Sequence, residues 1–229
     1  LSETDSFIDE VTEEVRRDKL FALFRKYGWI PITLVILLVA GTAWNEWQKA
    51  QAEAAAQKFG DAVFSAVGKP TAKDQAAALA RIPTDGAETR VFLDFVKAAA
   101  NAEASDPEAA LALLDKVAAS PKVPEIYRQL ARLKAVVLRG KTQDATKRLA
   151  ILDKLATPGS PFRAVALEQK ALVLHETGDN KAAIAVLRTI LDEPGTTQAL
   201  LQRAQQLIVA MGGTLQHSGG AASGATTNG

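Results

Sequence analysis

From Tyr27 to Asn45 the chain runs nineteen residues without a charge, closed by Lys26 on one side and Glu46 on the other. At about 1.5 Å per residue this run makes a helix of roughly 28 Å, close to the hydrocarbon thickness of a bilayer. Tyr27 and Trp29 at one end, with Trp44 and Trp47 at the other, place amphipathic rings where the two membrane interfaces would lie. Pro31 falls in the first turn, where its missing N–H leaves no helical bond unmade. The run exceeds the apolar core of a signal peptide and follows a long acid-rich segment, so the pattern predicts an uncleaved transmembrane helix over residues 27–45.

On either side of that run the period becomes helical and amphipathic. In residues 1–26, Ser6 is placed to cap a helix, and Ile8, Val11 and Val15 share a stripe that Leu20, Phe21, Leu23 and Phe24 broaden. Arg16, Arg17, Lys19, Arg25 and Lys26 interleave with it. Two readings of this amphipathic segment compete: a helix lying on the cytoplasmic leaflet, and a plain solvated juxtamembrane helix. Beyond Trp47, a stripe of Ala52, Ala56, Phe59, Val63 and Val67 predicts a helix that packs against something, ended at Gly68-Lys69-Pro70. A short Ala-rich helix over 72–82 follows, stopped at Pro83.

From about Arg90 the pattern repeats. Asp106 to Leu114, Asp144 to Leu152 and Asp179 to Leu187 align at offsets of 38 and 35 residues, each an Asp followed by a band of small and aliphatic side chains. Ala98, Ala135 and Ala171 give a second register, at offsets of 37 and 36. In each copy the Asp is placed to N-cap the second helix of a hairpin, with Pro and Gly in the connections. A period of this length with one hairpin per copy is the mark of a tetratricopeptide-type solenoid. Ala171, Gly178-Asp179, Ala183, Leu187 and Pro194 resemble the small, turn, small, large and Pro positions of that repeat. Arg148 stands where a small residue is expected and Lys170 where Leu is usual. The predicted fold is therefore all-α: one transmembrane helix, then a tetratricopeptide-like helical repeat domain over 46–211 closed by a helix from Gln198 to Met211. A Gly/Ser/Thr-rich tail over 212–229 is expected to be disordered.

Composition narrows the function. Twenty-seven basic and 26 acidic side chains leave a net charge of +1, which gives no global case for nucleic acid. No cysteine is present, so thiol chemistry is out. Gly140-Lys141-Thr142 lacks the upstream glycine and strand of a phosphate loop. His175 and His217 lack companions for a metal site or a catalytic triad. The sequence thus predicts no enzyme, no cofactor, no metal and no small-molecule substrate. One asymmetry stands against this balance: nine basic but three acidic residues lie between Lys122 and Lys154. Arg128 and Arg132 share a face with Arg139, while Lys97, Lys134 and Lys170 occupy one position in successive repeats. These five, Lys97, Arg128, Arg132, Lys134 and Lys170, are the candidate partner-binding residues, forming either a basic groove for an acidic peptide or a solvated charged face.

The layout of a short N-terminal segment, one span, Trp44 and Trp47 at its outer edge, an Ala-rich helix and about three divergent repeats resembles the YfgM-type ancillary translocon proteins of bacterial inner membranes. That resemblance implies a single-pass inner-membrane protein with a periplasmic repeat domain, associated with the Sec translocon and in contact with periplasmic chaperones. Five Lys and Arg before the span against Lys49 and Lys58 after it give the same orientation, with the N-terminus cytoplasmic. Two function classes stay open: a scaffold that recruits chaperones or clients to a translocation machine, and an accessory or assembly subunit of another inner-membrane complex, respiratory or photosynthetic.

Overall fold

The structure is a computed structural model that describes residues 25–84 and 86–215. The amphipathic segment expected before Arg25, His217 and most of the Gly/Ser/Thr tail lie outside the described residues. Nine α-helices follow one another with no strand among the described residues. The chain falls into two units, residues 1–62 and 63–229.

The first unit is carried by α1 (Trp29–Val67), one unbroken helix of 39 residues. It is long and apolar enough to cross a membrane. Its apolar side chains are exposed all round: Ile32, Leu34, Val35, Ile36, Leu37, Leu38 and Val39 each stand more than half open. Trp44 and Trp47 pack on one another with ring centroids 5.3 Å apart, and Thr33 and Thr42 return their hydroxyls to the carbonyls of Trp29 and Val39. The stripe read after Trp47 is not covered as expected. Ala52, Ala56 and Val67 are exposed, Phe59 and Val63 are half-buried, and Ala66 is the residue the helix buries. The helix stops at Val67, where Gly68-Lys69-Pro70 was expected to end it.

The second unit is a stack of helical hairpins. A short helix, α2 (Ala72–Ala80), leads into α3 (Ala87–Glu103) and α4 (Pro107–Ala119). Then come α5 (Glu125–Arg139) with α6 (Ala145–Leu155), α7 (Arg163–Glu176) with α8 (Asn180–Leu191), and the closing helix α9 (Gln198–Ala210). The three aspartates cap as the repeat pattern implies: Asp106, Asp144 and Asp179 accept the backbone N–H groups of Ala109, Lys147 and Ala182 at 3.0, 3.2 and 2.9 Å. Four residues past each of the outer caps, Ala110 and Ala183 are fully buried, because a hairpin lets its helices close only where the side chain is small.

The unequal offsets of the repeats have a local cause. In the outer hairpins, three residues join the helices. Ser105 and Gly178 take a left-handed conformation there (φ 62° and 86°), and the following Asp returns its N–H to Asn101 or Leu174. In the middle hairpin, five residues intervene, with Gly140–Thr142 wound as a 3-10 turn. That turn, with Gly140 at its head, is what the Gly-Lys-Thr sequence builds. At the far end, Gly212–Leu215, read from sequence as the start of a disordered tail, fold back on the last repeat. The N–H of Gly213 meets the Ile208 carbonyl at 2.8 Å, and Arg188 donates to the Thr214 carbonyl. A Cβ at Gly213 would lie 2.8 Å from Ile208 Cγ2, so this closing turn needs glycine.

Two outcomes test this account. Asp179→Ala removes the only side-chain acceptor at the start of α8 and should cost about 1 kcal/mol in urea denaturation of the full chain. Ser105→Gly relieves a left-handed non-glycine residue and should raise stability by roughly 0.5–1 kcal/mol in the same measurement.

Candidate partner-binding site

The middle hairpin is where the repeat departs from its own rule, and the cause is Arg148. It sits four residues past the Asp144 cap, the position of Ala110 and Ala183, and is only 4% exposed. A guanidinium there must be paired, and Glu176 at the end of α7 holds it from both oxygens at 2.7 and 3.0 Å. The bulk keeps α6 from closing on α5 as the outer second helices close on their first helices. Lys170, at the other irregular position, is half-buried and meets Asp153 at 2.6 Å. The four buried side-chain polar atoms without a hydrogen-bond partner among the described residues, Arg128 Nε, Gln129 Oε1, Gln143 Oε1 and Arg148 Nε, all belong to this hairpin.

Beside it a cleft of about 500 Å³ opens between α4, α5 and α6. Its apolar floor is Ala135, Ile151 and Leu155; its rim carries Asp115, Glu125, Gln129, Arg132, Arg139 and Lys154. Glu125 accepts from Arg128 and, at 3.0 Å, from Arg132, which also reaches the Ala118 carbonyl. Arg139 pairs with Asp115. Burial raises the Glu125 pKa, but hydrogen bonds from Arg132 and Gln129 and the charge of Arg128 outweigh it, leaving the carboxyl below its ordinary 4.5. Glu176 is lowered too, chiefly by the Arg148 hydrogen bonds. Lys154 is exposed and makes no ion pair among the described residues.

The candidate residues from sequence divide. Arg132 lines the cleft, and Arg128 adjoins it through Glu125. Lys134, two residues from Arg132, points to the far side of α5 by helical geometry and is exposed. Lys97 is half-buried on α3, and Lys170 is tied to Asp153; none of the three lysines lines the cleft. Sequence reasoning missed Gln129, Asp115 and Ile151, which carry no pattern of their own. Lys154 and Arg139 were visible within the basic excess but not as rim residues. His175, on the surface, has Nδ1 2.6 Å from Asn180 Oδ1.

The family model of a tetratricopeptide repeat-like domain matches residues 22–208. The chain belongs to that family. The match takes in α1 as well as the hairpins, so the apolar helix is part of what the tetratricopeptide repeat-like domain comprises here. No curated protein and no solved structure matches the chain. Membership supports a role in protein–protein interaction.

The ion pairs of this region make stability depend on acid. Glu125 and Glu176 are depressed in the fold, so their contribution is complete above the unfolded value of about 4.5 and is lost as pH falls through the lower folded values. Denaturation midpoints should therefore hold level above roughly pH 5 and decline below 4.5. Glu176→Gln should lower the neutral-pH midpoint and flatten the acid decline; an unchanged acid profile would remove the Arg148–Glu176 pair from the account.

Proposed function

We propose that this chain is a membrane-anchored protein-interaction scaffold, held by α1 and binding partners through its repeats. The observation that carries the reading is the pairing of a fully exposed apolar helix with a hairpin stack whose irregular middle repeat opens a charged cleft. An apolar surface as continuous as that of residues 29–44 calls for lipid or protein around it. We read the chain as binding rather than catalysing, with no cofactor. On the resemblance described above, the finer reading is an ancillary subunit of the Sec translocon in a bacterial inner membrane, with the N-terminus cytoplasmic and the repeats periplasmic among chaperones.

One observation favours the second reading, an accessory or assembly subunit of another inner-membrane complex. The Ala52 and Ala56 stripe of α1, expected to be covered, is open to a partner. In that case the helix, not the repeats, would hold the complex together.

Topology and capture separate these outcomes. A reporter fused after Gly212 should be active only in the periplasm, and one at the N-terminus only in the cytoplasm; the reverse would overturn the anchor's orientation. Site-directed photo-crosslinking of the full chain in membranes should give protein adducts from cleft positions. Adducts that survive exchange of residues 27–45 for an unrelated span support the scaffold. Adducts found only from α1, and lost on that exchange, move the function to the helix.

A further inference from the structure

We propose that the cleft between α4, α5 and α6 reads a protein segment that carries an acidic side chain beside an apolar one. This rests on the scaffold reading and names the chemistry of its partner. Three observations converge on it. The first is charge. Arg128, Arg132, Arg139 and Lys154 gather at one place, and only Glu125 and Asp115 answer them. The two carboxylates are shared among the three arginines, so the cation left over is Lys154, exposed at the rim in the last turn of α6. A carboxylate entering there meets a free ammonium and two guanidinium groups whose donors outnumber the oxygens they already hold.

The second is the floor. Ala135 and Leu155 are almost fully buried and Ile151 half-buried, an apolar bed beneath a charged rim. A purely ionic ligand would leave that bed wet, whereas an aliphatic side chain next to the acid would cover it. The third is Gln129. Its side chain lines the cleft beside Glu125, a carboxylate that can only accept and so favours the NH₂ end, leaving Oε1 to other donors. That oxygen is buried and has no donor. A main-chain N–H of an extended segment is the donor that would satisfy it, and a free inorganic anion has none to offer. Charge, apolar bed and orphaned acceptor together describe a polypeptide rather than a small acid. The cleft's volume of about 500 Å³ suits a few side chains of such a segment. Lys134, on the other side of α5, takes no part.

The test uses the full chain in detergent micelles and short fluorescein-labelled peptides on a Gly/Ser frame. One carries Leu-Glu-Leu at its centre, one Leu-Gln-Leu and one Ser-Glu-Ser, and anisotropy reads binding. The Leu-Glu-Leu peptide should bind, with each control roughly tenfold weaker, the scale of one charge-assisted hydrogen bond or one buried aliphatic contact. Lys154→Glu should weaken it roughly tenfold and Gln129→Met severalfold, with circular dichroism unchanged, while Lys134→Glu should leave it as it is. If Lys134→Glu abolishes binding and Lys154→Glu does not, the partner lies on the exposed face of α5. The cleft is then overturned and the scaffold reading stands. Displacement of the peptide by glutarate at concentrations near the peptide's own Kd would mean that the cleft takes a small dicarboxylate, which also overturns the proposal. So would failure of every peptide to bind, whereas loss of all crosslinks in membranes would remove the scaffold reading itself.

Discussion

Everything in the repeat unit depends on α5 being buried from two sides. Ala131 and Ala135 belong to one hydrophobic cluster, with Ala98, Ala110, Leu114 and Val117 of the first hairpin. Leu133 and Val136 belong to the other, with Leu152, Ala171, Leu187 and the residues of α9. Small side chains on one face admit α4 closely; larger ones on the other reach across a wider gap. The two clusters therefore join through a single helix and not through a continuous core. In a solenoid each hairpin contacts only its neighbours, so the looseness of the middle pair stays local, and the cleft is where it surfaces.

That arrangement also explains the fate of the basic excess. A charge run on a solvated face would leave its members free. Here four of the nine are paired: Arg139 with Asp115 and Arg148 with Glu176 between helices, and Arg128 and Arg132 with Glu125 within α5; outside the run, Lys170 meets Asp153. Elsewhere in the stack the same device recurs, with buried Asp94 meeting Lys116 at 3.0 Å and buried Glu168 meeting Arg203 at 2.8 Å. Buried carboxylates of this kind contribute little net stability once desolvation is counted, but losing one partner is costly. They fix which helix face meets which, a task that alanine-rich surfaces, nearly alike along their length, perform poorly. The local positive charge thus has a structural use first, and what remains for a partner is the part the pairs do not consume.

The caps, helix starts and hairpin order were legible because they are local. An Asp at the head of a helical run makes a cap wherever it stands, and Asp106, Asp144 and Asp179 all do so. The end of α1 at Gly68-Lys69-Pro70 was legible for the same reason. The departures of Arg148 and Lys170 from the repeat pattern were visible too, but their partners were not. Glu176 and Asp153 lie 28 and 17 residues away along the chain, and no period links them. The site fared similarly. Equivalence of Lys97, Lys134 and Lys170 in register says where they fall in each repeat, not which way α5 turns when its neighbour cannot close. Arg132 and Lys134 are neighbours in sequence yet lie on opposite sides of the helix, and only packing decides which side forms a cleft.

The stripe of α1 past Trp47 shows the converse case, in which a valid periodicity pointed to a surface not covered within the chain. Ala52 and Ala56 are small, so covering them recovers little apolar area, and Phe64, the large side chain near the helix end, is 83% exposed. The larger members of the stripe, Phe59 and Val63, are half-buried, and Ala66 is the one residue that α1 buries. The unit boundary at Ala62 and Val63 falls inside the helix at this point. Well before it, over residues 29–44, the side chains are apolar and uncovered, a state that calls for lipid or another protein. Beyond it the hairpins pack their apolar side chains into clusters, a state that suits water. A single helix thus links segments suited to two solvents, and no break in its hydrogen bonding marks the change.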